Sequence, residues 1–223
     1  LAHNQWAFTD SEREAVYKAI FSRRDVRREF LPEPVPEPVL RRLLAAAHHA
    51  PSVGFMQPWD FVVVRDRDTR AEIKAAFAQA HAEAAEQFDP ASRETYRGLK
   101  LEGILEAPLG ICVTCDRSRH GPVVIGRTAN PEMDLYSSVC AIQNLWLAAR
   151  AEGIGVGWVS IIHHQRLREI LAIPEDIDVI AYLCVGYVRF FHERPELESA
   201  GWLERAALDD LIHEERWQGG QAR

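Results

Sequence analysis

Residues 144–161 read NLWLAARAEGIGVGWVSI, and the order of the two halves decides the fold. The first half closes a stretch, 132–152, that is apolar nearly all round, carrying Leu135, Val139, Ile142, Leu145, Trp146 and Leu147. A helix of that kind is buried on most sides. The second half reads as a strand. Gly153, Gly155 and Gly157 mimic a dinucleotide-binding fingerprint, but that fingerprint follows a strand and opens a helix. Here the order is reversed, so the glycines do not mark a doubly wound nucleotide fold.

Working outward, a helix over 164–172 leads to a second strand, IDVIAYLCVGYV, at 177–188. Upstream lies the strand LGICVTC, 109–115, followed by a polar loop over 116–131 with Gly121, Pro122, Gly126 and Pro131. A strand at 61–64 precedes an amphipathic helix over 67–88 with Ile73, Phe77, Ala80, Ala84 and Phe88 on one side. Asp89-Pro90 interrupts it, and a further helical stretch is predicted to run to about Glu106. Near the start, Thr9 and Glu12 form a capping box for a helix with the apolar stripe Val16, Ile20 and Phe21, ending near Arg23. LPEPVPEP, 31–38, must be extended, and Pro36 to Ala47 forms the next helix with Val39, Leu40, Leu43, Leu44 and Ala47 inward.

Strands alternating with helices, without repeats or low-complexity linkers, predict one α+β or α/β sheet domain over residues 1–223; the resemblance described below selects α+β. The last 34 residues differ: they carry Trp202 and Trp217 with few helix signals. An ordered tail from about 190 to 223 with large aromatics is expected to wrap a second subunit, as is the nearly all-apolar helix.

With 26 basic and 33 acidic residues the net charge is −7. That argues against general affinity for nucleic acid or an anionic membrane, both of which need a basic field. No run of 18 apolar residues occurs, and LAHNQWAFTD shows no basic region leading into an apolar one, so neither a membrane span nor a signal peptide is expected. Cys112 and Cys115 form an isolated CxxC inside a buried strand, where residues three apart face opposite ways. They read as core thiols, which implies a reducing, cytoplasmic setting. The nine histidines lack metal-ligand spacing and are expected at the surface or in caps, so no metal site is expected.

Three stretches carry chemistry. In SRRDVRREF, 22–30, an extended chain puts Arg23, Asp25 and Arg27 on one face and Arg24 and Arg28 on the other. Two guanidinium forks on one face make an anion clamp, although arginines at a helix end also complement its dipole. In PSVGFMQPW, 51–59, Gly54 admits a close ligand approach, and Gln57 offers a donor and an acceptor suited to an amide-bearing heterocycle. The alternative there is a connector with a buried Trp59. In GWVS, 157–160, a strand end delivers the Ser160 hydroxyl, or caps the helix that follows.

In this order the three stretches resemble the FMN-dependent nitroreductase-like flavoproteins, over about residues 12–190. RRDVR at 23–27, APSVGFMQPW at 50–59, LKLEGI at 99–104, NPEMDLYS at 130–137 and residues 144–161 are similar to a flavin-fragmenting branch of that family. The resemblance implies an intertwined homodimer with a mainly antiparallel sheet flanked by helices and FMN at the subunit interface. It implies that FMNH2, bound as the substrate, reacts with O2 to give 5,6-dimethylbenzimidazole, the lower ligand of cobalamin, and erythrose 4-phosphate. NAD(P)H enters only through a separate flavin reductase.

Carried over by position, Arg23, Arg24, Val26 and Arg27 contact the flavin, and Pro51, Ser52, Gly54 and Gln57 line it, with Gly54 close to O2. Lys100 belongs to a lid segment, about 84–104, that reaches the flavin. Asp25 and Ser160 are the catalytic pair. Asp25 also binds the cofactor and serves as a weak base near pKa 4, kept ionised by its arginines. Ser160 likewise contacts the flavin, donating to N5 or to an oxygen on it. An NAD(P)H-dependent nitro- or quinone reductase, or a flavin carrier without turnover, are the alternatives. Neither needs Asp25.

Overall fold

The computed structural model describes residues 6–217, in two compact units divided between Phe191 and His192. The first unit is built on four strands, β1 (Trp59–Val64), β2 (Leu109–Cys115), β3 (Ile154–Val159) and β4 (Asp178–Tyr187), in the order β1-β2-β4-β3. All three pairings are antiparallel. β2 is buried along its whole length, and its alternate side chains enter different cores. Leu109, Ile111 and Val113 belong to one cluster, and Cys112 to the other.

Helices α2 (Glu37–His48) and α5 (Met133–Ala151) supply the first cluster, through Leu40, Leu43 and Ala47 and through Ala141, Ile142, Leu145 and Trp146. Helices α3 (Arg67–Ala85) and α6 (His164–Leu171) supply the second, through Ile73, Phe77 and Leu167. Each fully buried Leu or Ile contributes roughly 1.5–3 kcal/mol, so two covered sheet faces sustain the fold. The predicted alternation of strand and helix, and the antiparallel sheet, are present. Cys112 and Cys115 are buried free thiols, their pKa pushed up by burial to about 12 and about 11.

Several predicted details differ. Helix α4 (Pro90–Gly98) stops at Gly98 rather than near Glu106, because Leu99 turns to extended backbone and the next segment runs along the core. α3 ends at Ala85. β1 begins two residues earlier than expected, at Trp59. α1 (Asp10–Ser22) has its Thr9/Glu12 capping box and C-cap Arg23, but it buries nothing: Val16, Ile20 and Phe21 are exposed. α5 likewise exposes Tyr136 and Val139. His81 is not a surface residue; it is partly buried, with its ring stacked between Phe77 and Tyr96.

The second unit holds a single helical turn, α7 (Glu196–Ser199), a 3-10 turn at Leu208–Leu211, and exposed Leu203, Leu208 and Trp217. The signal-peptide and tail readings extend into residues 1–5 and 218–223, which lie outside the described residues.

The edge strand β3 is covered by the chain that leaves α1. Asp25 forms a parallel bridge with Val156, and the Val26 N–H donates to the Val156 carbonyl at 3.0 Å. The glycines of GIGVG make this approach possible. A Cβ on Gly157 would lie 2.1 Å from the Val26 carbonyl oxygen, and one on Gly155 would lie 2.4 Å from Val188 and 3.0 Å from Val26. Gly157→Ala is therefore expected to cost roughly 1–3 kcal/mol by overpacking, lowering Tm by roughly 3–10 °C. Gly98→Ala, with open space around its Cβ position, should stay within about 0.5 kcal/mol of the parent. Thermal unfolding of the two variants checks both values.

Candidate functional site

The bridge to β3 sets Asp25 among fixed partners. Its Oδ1 accepts the Trp158 backbone N–H at 2.9 Å, and its Oδ2 accepts Arg27 Nη2 at 2.8 Å. Arg27 is thus bonded to Asp25, and Arg23 also acts on it electrostatically. The expected pKa near that of a free aspartate needs correction. Burial pushes the Asp25 carboxyl above the ordinary aspartate value, and the opposing pull of Arg27, the Trp158 N–H and Arg23 does not offset it. Asp25 is thus a stronger base than a free aspartate.

The arginines divide their work. Arg24 Nη1 donates to the Phe21 and Arg23 carbonyls at 2.9 and 2.7 Å, so it caps the C-terminal end of α1 as the helix-end reading proposed. Arg23 lies over the Trp146 ring, with Cζ 4.8 Å from its centroid. Arg27 and Val26 are buried.

The loop after α2 is held on several sides. The Val53 N–H donates to Ser137 Oγ at 3.0 Å, and Ser137 Oγ donates to the Met133 carbonyl at 2.6 Å. The Gln57 N–H donates to Ser52 Oγ at 3.0 Å, while Arg119 Nη1 reaches the Gln57 and Trp59 carbonyls at 2.7 and 3.1 Å. Met56 and Trp59 are buried beneath. Between these anchors Gly54, Phe55 and Gln57 take positive φ of 52°, 55° and 48°. Such strain in two non-glycine residues persists only where surroundings over-determine the backbone, and it concentrates at functional sites. The Cβ position of Gly54 is bordered by Val124 at 2.5 Å and the Ile125 backbone, so the loop at 121–127 packs on it. The Gln57 side-chain amide donates to the Phe55 carbonyl at 3.2 Å. Pro51 is exposed at the entry to the loop.

Lys100 is tied down. Its ammonium pairs with Glu102 and, at 2.6 Å, with Glu106. Burial lowers its pKa, but the two carboxylates outweigh that and leave it raised. Glu102 is itself buried, pairs also with Lys74, and accepts the Ile104 N–H at 2.8 Å. A Cβ on Gly103 would meet the Arg27 carbonyl at 2.5 Å. LKLEGI thus lies directly against the arginine segment. α4 buries only Tyr96, stacked on His81 at 4.6 Å.

Ser160 follows β3 directly, two residues beyond Trp158. It does not cap α6, whose N-cap is His163 without a side-chain cap bond. Ser160 borders a cavity of about 160 Å³ with Trp158, His164 and Leu167, which the arginines do not line. The fold therefore joins Asp25 and Arg27 to β3 and fixes the 52–57 loop, and Ser160 lies exposed at the end of the same strand, two residues beyond the Trp158 that donates to Asp25. Trp146, Ser137 and Arg119 were missed by the sequence reading. Their partners are 122, 84 and 62 residues away along the chain; Ser137 and Trp146 lie in segments that carry the resemblance, but nothing local shows what they hold.

Residues 20–187 match the model of the nitroreductase family. The chain is 44% identical over 199 residues to a 5,6-dimethylbenzimidazole synthase of Rhodospirillum rubrum, covering 89% of this chain and 93% of that one. It is 39% identical to one from Rhodobacter capsulatus, covering 88% and 95%. Among solved structures, an iodotyrosine deiodinase bound to FMN and 3-iodo-L-tyrosine superposes with a TM-score of 0.71 at 20% identity, covering 91% of this chain and 100% of that one. At that identity it speaks for the fold alone.

Two outcomes are expected. An aspartate whose folded pKa lies above its unfolded value binds protons more tightly when folded. Its contribution is present below the unfolded value and is lost as pH rises through the folded one. Asp25→Asn should therefore gain Tm relative to the parent as pH climbs above about 4, measured on the apoprotein in parallel pH series. Ser137→Ala should cost about 1–2 kcal/mol by unpairing the half-buried Val53 N–H. It should also weaken FMN binding in a fluorescence titration, whereas a role in stability alone would leave that affinity unchanged.

Proposed function

Since this chain belongs to the nitroreductase family, we propose that it forms 5,6-dimethylbenzimidazole from FMNH2 and O2, with erythrose 4-phosphate as the second product. Identity of 44% and 39% to relatives of that activity, over about nine-tenths of the chain, supports the reading. The observation that carries it is Asp25, a carboxylate seated inside an arginine segment with both oxygens directed by hydrogen bonds. Neither nitro-group reduction nor flavin carriage calls for a base there.

The residues present suit a flavin nucleotide. Guanidinium donors at Arg23 and Arg27 match a phosphate or the polar atoms of the ring, and a rigid loop with paired serines suits a flat heterocycle. Arg23, Arg24, Val26 and Arg27 would hold the nucleotide, and Pro51, Ser52, Gly54 and Gln57 would line its ring. When bound and reduced, the flavin supplies both the electrons for O2 and the carbon skeleton of the product.

Cleavage of a carbon–carbon bond next to a hydroxyl needs that hydroxyl proton removed. Asp25 takes it at a carboxylate oxygen, and its burial makes it a better acceptor than an exposed aspartate. The Trp158 N–H and Arg27 orient the carboxylate, so positioning supplies much of the effect. Ser160, at the end of β3, would donate its hydroxyl in a hydrogen bond to a polar atom of the flavin ring. The segment from α4 to Lys100 limits water access, with Glu102 as its buried anchor.

The protein acts as a homodimer. Val16, Tyr17, Ile20 and Phe21 of α1 are exposed, and covering that apolar stripe with a partner is favourable. The tail from about 190 wraps the partner. Reduced FMN comes from a separate flavin reductase, and the free cysteines suit a reducing cytoplasm. No helix among the described residues is long and apolar enough to cross a membrane.

Supplying FMNH2 and O2 should yield dimethylbenzimidazole, identified by mass. Asp25→Asn should still bind FMN and lose product formation by about 10²-fold or more. NADH-driven reduction of a nitroaromatic without dimethylbenzimidazole would overturn the assignment.

A further inference from the structure

The first turns of α5 hold two loops at once. Asp134 is fully buried. Its Oδ2 accepts Arg117 Nε at 3.1 Å and pairs with Arg127 Nη1 at 3.7 Å, while its Oδ1 accepts the Leu135 N–H at 2.8 Å. Arg117 and Arg127 stand at the two ends of the loop that leaves β2, and Arg127 Nη1 also donates to the Arg117 carbonyl. One carboxylate thus closes the base of that loop from inside the fold. The far side of the loop rests on the 52–57 turn. A Cβ on Gly54 would lie 2.5 Å from Val124 Cγ1 and 2.9 Å from the Ile125 carbonyl oxygen, and one on Gly126 would lie 3.1 Å from Val53 Cγ2. One turn along from Asp134, Ser137 Oγ accepts the Val53 N–H. α5 therefore holds Val53 and Gly54 from two directions, through Ser137 directly and through Asp134, the two arginines and Val124.

A buried carboxylate is costly unless its partners are well placed, so removing its charge changes what those partners do. Arg117 and Arg127 have side chains 33% and 19% exposed. Released from Asp134, both can turn toward water, and the loop between them loses its closure while the core beneath keeps its packing. A binding loop gives affinity when its backbone is fixed before the ligand arrives, because ordering it on binding costs free energy. The left-handed residues of the 52–57 turn make that support more necessary, since their backbone leans on what surrounds it.

We infer that Asp134 is a positioning residue: through Arg117 and Arg127 it holds the 117–127 loop on the Gly54 turn, and so fixes the backbone that receives the flavin ring. The inference rests on the flavin reading above. It assigns part of the affinity for the isoalloxazine to a carboxylate buried behind the loops, outside the arginine segment at 23–27.

Fluorescence titration with oxidised FMN and with riboflavin tests it, using the parent, Asp134→Asn, Arg127→Met, their double variant and Ile142→Val. Ile142 is buried in the same helix, and its variant is the control: it should lower Tm and leave both affinities unchanged. Asp134→Asn should weaken FMN about tenfold, or ~1.4 kcal/mol, and riboflavin by the same factor, since the loop meets the ring that both flavins carry. Arg127→Met should weaken both flavins by less. The double variant should bind no more weakly than Asp134→Asn, because both changes act through one loop. Unchanged affinities in Asp134→Asn alongside a lowered Tm overturn the inference and leave Asp134 a stability residue. Weakening of FMN without riboflavin, or additive losses in the double variant, overturns it too. Should Asp134→Asn fail to fold by circular dichroism, Arg127→Met decides: weaker binding of both flavins supports the inference, and unchanged binding overturns it. A parent protein that binds neither flavin overturns the flavin reading as well; one that binds both, with variants that bind equally well, overturns this inference alone.

Discussion

The carbonyl oxygen of Val26 occupies space that a side chain on Gly157 would need, and the candidate site depends on that vacancy. With Gly157 and Gly155 in β3, the chain leaving α1 lies directly on the sheet edge and is held by the Val26–Val156 hydrogen bond. Asp25 then reaches the Trp158 N–H, and Arg27 reaches Asp25. Gly103 repeats the device from the other direction, bringing LKLEGI against the Arg27 carbonyl. Close backbone approach, made possible by missing methyl groups, assembles segments that lie about 80 to 130 residues apart.

Electrostatics follows from that packing. An aspartate beside two arginines in water would have a lowered pKa. Here the loss of solvent is the larger effect, and the carboxyl moves upward despite its cationic neighbours. The arginines therefore direct the carboxylate more than they acidify it. Arg24 serves helix α1, Arg27 serves Asp25, and Arg23 is laid on an aromatic ring. Arginines that look equivalent in SRRDVRREF, Arg23, Arg24 and Arg27, are made different by what each one meets.

The loop over 52–57 shows a complementary design. Its left-handed residues are held by hydrogen bonds from α5 and from Arg119, with Met56 buried as a peg. Rigidity there lets the backbone keep a conformation it would not choose, as preorganised binding loops require. α4 is anchored differently, by its one buried side chain, Tyr96, and by pairs from Arg93 and Arg97 to Glu86.

The sequence by itself determined the element order, a sheet domain covered by helices and the burial of the CxxC thiols, because hydrophobic periodicity, capping boxes and prolines act over a few residues; the antiparallel pairing followed only from the family resemblance. The pairing of Asp25 with Arg27 was legible too, since strand alternation is local. Only the tertiary structure decided that α1 exposes its apolar stripe, that burial outweighs the arginines at Asp25, and that Trp146, Ser137 and Arg119 brace the site. These depend on desolvation and on partners 62 to 122 residues away. Periodicity along the chain cannot report which surfaces will meet.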